Sequence, residues 1–339
     1  MIPRASSWPT LLLTAITALG MIACASSPSL PPPAADHHLH IRSDTGGEAL
    51  PRVQLARGKS RSELSPGRQD ADDVLKEMDR HGIQQGVLLS LGYMYAIPEI
   101  NFENEYRKVR QENDFVAEQA ARYPDRLIAF CGISPIRDYS LKEIQRCAGM
   151  DVTGIKMHMA NSGVDLDNPR HWASLEAAFR EANARGLAIV IHYRPRNGGY
   201  GAAEAERFMT SLMPLASDVT VQLAHMGGGG IIDTATMSAI RRFAQDLDDY
   251  PNLYFDISAA WAREQDVPAS VERIERHRNR RNVARAVEWL GTDRILFGSD
   301  WDSIEFQDTL QPLQRTQGLT AEIAKEILSN RAPYLPQVD

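Results

Sequence analysis

Four apolar runs along this 339-residue chain each end in a histidine or aspartate, and that recurrence limits the folds open to it. The phrases are DHHLH at Asp36–His40, VIHYR at Val190–Arg194, LAHMGG at Leu223–Gly228 and FGSDW at Phe297–Trp301. Near-continuous apolar runs of this length read as strands buried on both faces, the habit of a parallel sheet. In a closed barrel of such strands, residues at the strand ends meet at one mouth, however far apart they lie in sequence. DHHLH adds a local constraint. Side chains alternate across a strand, so Asp36, His38 and His40 share one face while His37 and Leu39 share the other.

Strand and helix patterns alternate between these phrases, the rhythm of βα units. Asp70 caps a helix written DADDVLKEMDRHG, with Gly82 as its stop. A helix is expected from about Glu103 to Tyr123, and Pro169 opens another that ends before Gly186. GVLLSLGY, LIAFCGIS, VTGIKMHM and NLYFDIS supply the remaining strands, and LTAEIAKEILSNRAPYL closes the outer layer. Ser43–Gln69 reads as a long polar loop. The expectation is an α/β fold, a (β/α)8 TIM barrel forming a single catalytic domain over 36–339. With 43% hydrophobic residues the chain has material for such a core. No G-x-G-x-x-G follows the first strand, which argues against dinucleotide binding. A net charge of −7 argues against nucleic-acid binding. The arginines of Arg273–Arg285, with Glu272 and Glu275 beside them, read as a solvated helix face.

Ahead of that domain, Arg4 and the apolar stretch Leu11–Ile22 form the pattern of an export signal over 1–23. The stretch is too short to span a bilayer. Ile22-Ala23-Cys24 resembles the lipobox of bacterial lipoproteins. That resemblance implies lipidation of Cys24 and makes 24–35 a Pro/Ser tether; the alternative is an ordinary cleaved signal. The chain is therefore expected to be exported and lipid-anchored on the periplasmic side of a bacterial membrane, the outer membrane favoured, touching lipid only through that anchor. Cys131 and Cys147 remain in the domain. Export permits them to pair, and the sequence leaves their pairing open.

Taken together, H-x-H at His38 and His40, GIKMH at Gly154–His158, His192, HMGG at His225–Gly228 and GSDW at Gly298–Trp301 resemble the amidohydrolase superfamily, in particular its amidohydrolase-related branch. The resemblance runs through nearly all of the chain beyond residue 35. It implies that His38, His40, His192 and Asp300 hold one divalent metal, zinc first, with manganese or iron as alternatives. It also implies that His225 is a catalytic base beside that metal and that Asp300 carries protons as well as binding the ion. Lys156, His158 and Arg194 would face a small anionic substrate. A carboxylated Lys156 bridging two metals is the alternative.

The expected activity is hydrolysis of a small carboxylated lactone, ester or amide by metal-bound hydroxide, because a bound metal lowers the pKa of water from about 15.7 towards 7. Decarboxylation of an aromatic or unsaturated acid at the same centre is the alternative, and a ligand-binding lipoprotein without catalysis is a third reading. Sequence leaves the substrate and the oligomeric state open.

Overall fold

The computed structural model describes residues 30–337, apart from 66, 197–198, 263–268 and 302. The expected export signal, Cys24 and the first half of the tether lie outside the described residues.

Eight strands follow one another around a single parallel sheet: β1 Ala35–Leu39, β2 Gln85–Leu89, β3 Leu127–Ile133, β4 Gly154–His158, β5 Ala188–His192, β6 Val221–Leu223, β7 Leu253–Asp256 and β8 Ile295–Leu296. Backbone bonds close the ring between its ends. His37 N donates to Phe297 O at 3.0 Å, and Asp300 N donates to His38 O at 2.9 Å. The seam is tight. A Cβ on Gly298 would stand 2.9 Å from the Cβ of His38, so glycine is needed for the two chain segments to approach. The expected TIM barrel is the observed fold.

Period-two alternation divides each strand between two cores. Leu88, Ile155, Met157, Ile189 and Ile191 face outward into the layer shared with the helices. Val87, Leu89, Phe130 and Val190 face inward and fill the lumen, where Leu335 and Tyr334 of the C-terminal segment join them. Each fully buried aliphatic side chain contributes roughly 1.5–3 kcal/mol of transfer free energy. The floor of the barrel is therefore packed, and open space remains above it.

Around the sheet run α1 Asp44–Ala56, α2 Ala71–Arg80, α3 Glu105–Ala121, α4 Ser140–Cys147, α5 Met159–Ser162, α6 Pro169–Ala184, α7 Ala202–Arg207, α8 Thr234–Gln245, α9 Ala269–Leu290, α10 Phe306–Arg315 and α11 Ala321–Ser329. Several begin as the sequence indicates. The Asp70 side chain accepts from Asp72 N at the start of α2, and Asn168 caps α6 with Pro169 in its first turn.

The polar loop expected over Ser43–Gln69 is a correction. Helix α1 occupies its first half despite Gly46, Gly47 and Pro51. Its start is held from outside: Ser43 N and Oγ donate to the buried Glu112 of α3, at 3.1 and 2.6 Å. A Cβ on Gly46 would lie 2.7 Å from the same carboxylate, so the glycine that weakens the helix locally is what lets it dock. Cys131 on β3 and Cys147 on α4 form a disulfide, resolving the pairing left open by the sequence.

Candidate metal centre and its cavity

A cavity of about 440 Å³ opens at the C-terminal ends of the strands. His38 and His40 reach it from β1, Lys156 and His158 from β4, His192 from β5, His225 from the turn after β6 and Asp300 from the turn after β8. Apolar side chains Leu50, Val53, Leu91 and Met94 form one wall with Tyr93. Of these, Val53, with Leu50 beside it, comes from the unforeseen helix α1.

The backbone is strained where the polar groups gather. His225 (φ 56°), Ala259 (φ 53°) and Asp300 (φ 65°) all adopt left-handed conformations and all line the cavity. Non-glycine residues held there cost on the order of 1 kcal/mol each and cluster at functional sites. Gly227, at φ +74°, completes the turn after His225.

Three imidazoles are oriented alike by their hydrogen bonds. His38 Nδ1 donates to Asp256 Oδ2 at 3.0 Å, His40 Nδ1 to Leu89 O at 2.7 Å, and His225 Nδ1 to Ser258 at 2.8 Å from Oγ. Each ring thus turns a bare Nε2 away from its partner, the arrangement by which second-layer groups prepare histidines for metal. The consequence shows at Asp300. Its Oδ1 lies 3.3 Å from His38 Nε2 and 3.3 Å from His40 Nε2. Lone pairs would there face a carboxylate oxygen, a contact that is repulsive unless a cation lies among them. Ligand atoms of His38, His225 and Asp300 all fall within 4.8 Å of one another. Imidazole nitrogens with a carboxylate oxygen suit zinc, manganese or iron(II), so these residues fit a divalent metal.

Burial sets the charge states. Burial first, then the Lys156 ammonium, pushes the His38 imidazole down to about 3, so it is neutral at ordinary pH. Burial alone would raise the Asp300 carboxyl, but its contacts with the imidazoles of His40 and His38 outweigh it and hold it well below the usual carboxylate range. Burial likewise opposes ionisation of Asp256, yet its hydrogen bond from His38 and the nearby Lys156 ammonium keep it ionised. Burial brings Lys156 down to about 8, partly countered by Asp256 and Asp300. Its Nζ lies 3.3 Å from His38 Nε2, competing for the lone pair that a metal would use.

The remaining expected residues fall in different places. His192 lines the cavity but stands outside the compact group, which contains His225 where the resemblance implied His192. The His192 ring stacks on His158 at 3.9 Å between centroids, and its buried Nδ1 has no partner. Arg194 does not line the cavity: it bonds Asp233 at 2.8 Å and Thr236 at 2.9 Å, tying β5 to the start of α8. Arg57, at the end of α1, takes the place expected of it. It lines the cavity, and among the described residues its buried Nε and Nη2 make no hydrogen bond, while Nε pairs with Glu99 at 3.6 Å. Sequence reading passed over Arg57 because its segment looked like loop. Asp256 was also missed, although its signal was present: NLYFDIS ends a strand in aspartate just as FGSDW does.

The family model described as Amidohydrolase matches residues 35–330. The chain belongs to the amidohydrolase family. Among relatives of this amidohydrolase, the γ-resorcylate decarboxylase of Rhizobium radiobacter is 40% identical over 270 residues, covering 68% of this chain and 76% of the relative. The fold is shared with the 5-carboxyvanillate decarboxylase of Sphingomonas paucimobilis, at TM-score 0.57 and 18% identity over 89% of this chain and 97% of the other. It is also shared with a dihydroxybenzoic acid decarboxylase of Polaromonas sp. JS666, solved with manganese and 2-nitroresorcinol, at TM-score 0.57 and 18% identity over 88% and 95% of the two chains. These proteins are lyases. The expectation of hydrolysis as the main activity yields to the decarboxylase reading that stood beside it.

Proposed function

We propose that this amidohydrolase is a metal-dependent decarboxylase of a small hydroxylated aromatic acid. The observation that carries the reading is the 40% identity to a γ-resorcylate decarboxylase across two thirds of the chain, and the cavity chemistry agrees with it. A planar ring would lie against Leu50, Val53, Leu91, Tyr93 and Met94, while Arg57 and Lys156 offer charge to its acidic group. Arg57 pairs with Glu99 only at 3.6 Å, and its Nε and Nη2 make no hydrogen bond among the described residues, which leaves them able to bond a substrate carboxylate.

His38, His225 and Asp300, with His40 beside them, would hold the metal, which supplies positive charge to a bound hydroxy-acid. The chain's own residues then handle one proton. Decarboxylation adds a proton to the ring carbon, returns the electron pair of the breaking carbon–carbon bond to the ring and releases carbon dioxide. Asp300 is the proton carrier in this reading. A carboxyl held to a low pKa is seldom protonated but donates strongly when it is. Burial of the site excludes bulk water from the ring carbon.

The test is to supply metal-reconstituted protein with 2,6-dihydroxybenzoate, related hydroxybenzoates and aromatic lactones, and to measure carbon dioxide and ring products. Carbon dioxide release, absent in His38→Ala, is expected. Lactone opening without carbon dioxide would overturn the decarboxylase reading in favour of hydrolysis. In the same assay Arg57→Met should raise KM by roughly tenfold or more, as loss of a charged hydrogen bond of about 1.5–3 kcal/mol requires, while kcat changes less.

We also read the chain as exported and anchored through Cys24. The Cys131–Cys147 disulfide supports export, because such bonds persist in oxidising compartments.

A further inference from the structure

The floor of the barrel carries a hydrogen-bond chain that ends at the candidate metal ligands. Tyr334, in the segment after α11, inserts its ring beside His37 and Phe130 and donates its hydroxyl to Gln222 Oε1. Gln222 is fully buried on β6. Its Nε2 donates to Asp256 Oδ2 at 2.6 Å and to His37 O at 3.3 Å. The same Asp256 oxygen accepts from His38 Nδ1, while Oδ1 accepts from the backbone N–H groups of His225 and Ser258 at 3.0 and 3.2 Å.

A side-chain amide has a donor end and an acceptor end of nearly the same shape, so its surroundings decide which way it points. Asp256 Oδ2 and His37 O hold the Nε2 end, and the Tyr334 hydroxyl holds the opposite end at Oε1, so the amide is pinned at both ends. Without the donor at Oε1 the buried amide is free to tilt and its bond to Asp256 loosens. Asp256 would then shift relative to His38 Nδ1, and the His38 tautomer that leaves Nε2 bare would be less firmly enforced. Tyr334 itself is not among the described residues that line the cavity.

We propose that Tyr334 is a positioning residue for the metal centre, its hydroxyl fixing the Gln222 amide so that Asp256 holds His38 with Nε2 free. The metal part of this inference rests on the proposed metal site; the tautomer part does not. The test compares wild-type, Tyr334→Phe, Gln222→Leu and the double variant, each as the full chain. Imidazole nitrogen NMR of metal-free protein labelled with 15N-histidine reads the His38 tautomer, and titration with manganese reads affinity.

In Tyr334→Phe we expect His38 to leave the pure Nδ1–H form and manganese binding to weaken about tenfold, the lower end of what disturbing an outer-layer partner costs. In the Gln222→Leu background, removing the hydroxyl should change neither readout. An unmoved tautomer in a folded Tyr334→Phe protein overturns the inference. So do effects of the two substitutions that simply multiply, which would mean Tyr334 acts by packing. A wild-type chain that binds no manganese or zinc, yet shifts its His38 tautomer on Tyr334→Phe, refutes the metal reading and leaves the positioning role standing.

Discussion

His38 is engaged at both ring nitrogens, Nδ1 with Asp256 and Nε2 with Lys156 and Asp300. A lysine ammonium and a metal ion compete for one lone pair, so replacing Lys156 should change metal binding in a direction that reports its role. Lys156→Met should bind a single divalent ion more tightly than wild type, by about threefold to tenfold, if the lysine is only a neighbouring cation. Loss of one of two ions in elemental analysis would instead identify Lys156 as a bridge between metals. Much of this residue layer was legible from sequence. Strand-end position alone identified His38, His40, His192, His225 and Asp300 as sharing a mouth. It could not rank them, because the spacing of His225 and Asp300 depends on left-handed backbone after β6 and β8 that no periodicity encodes. Arg194 shows the opposite failure: a strand-end arginine that a neighbouring aspartate had already taken.

Strands were easy to read because their apolar runs are buried on two sides, and helices with strong caps, such as α2 and α6, were equally plain. Helix α1 was not. Its two glycines and proline signal a turn, and the contact that overrides them comes from Glu112, 69 residues after Ser43. Long-range docking of this kind leaves no local trace. The disulfide is another such link, joining β3 to α4 across a separation of 16 residues. Closing a loop of that length contributes about 3 kcal/mol in the chain-entropy account. Protein made with residues 1–23, the proposed leader, should therefore show no free thiol at Cys131 or Cys147 by mass spectrometry. Protein made without the leader in a reducing cytoplasm should show two, and should unfold at a lower urea concentration. Equal midpoints for the two forms would mean the bond contributes little, and free thiols in the leader-bearing form would argue against export.

Across the whole molecule, four buried histidines set the response to acid. Burial is the main cause in each, holding His37 to about 4 and His38 to about 3, with His158 and His192 also well below their ordinary value. Unfolding lets them bind protons below about pH 6.5, so their contribution is complete above that pH and lost as the pH falls towards 4. Asp36, raised to about 7 by burial, acts oppositely, holding a proton in the fold that the unfolded chain releases above about pH 4, and burial also raises the Glu112 carboxyl, a shift of the same sign. The histidines outnumber them. The melting temperature of metal-free protein should drop by about 5 °C or more between pH 7 and pH 5; a rise over that range would show that the imidazoles are not neutral in the fold.

The seam between β1 and β8 has a consequence in time. His38 belongs to the first strand of the barrel to be made and Asp300 follows the last, and the bond from Asp300 N to His38 O is part of what joins them. Until that seam closes, a growing or unfolded chain carries the histidines without the geometry that selects an ion. In the proposed metal site, the ion taken up would then depend on which cations surround the protein when its last strand docks.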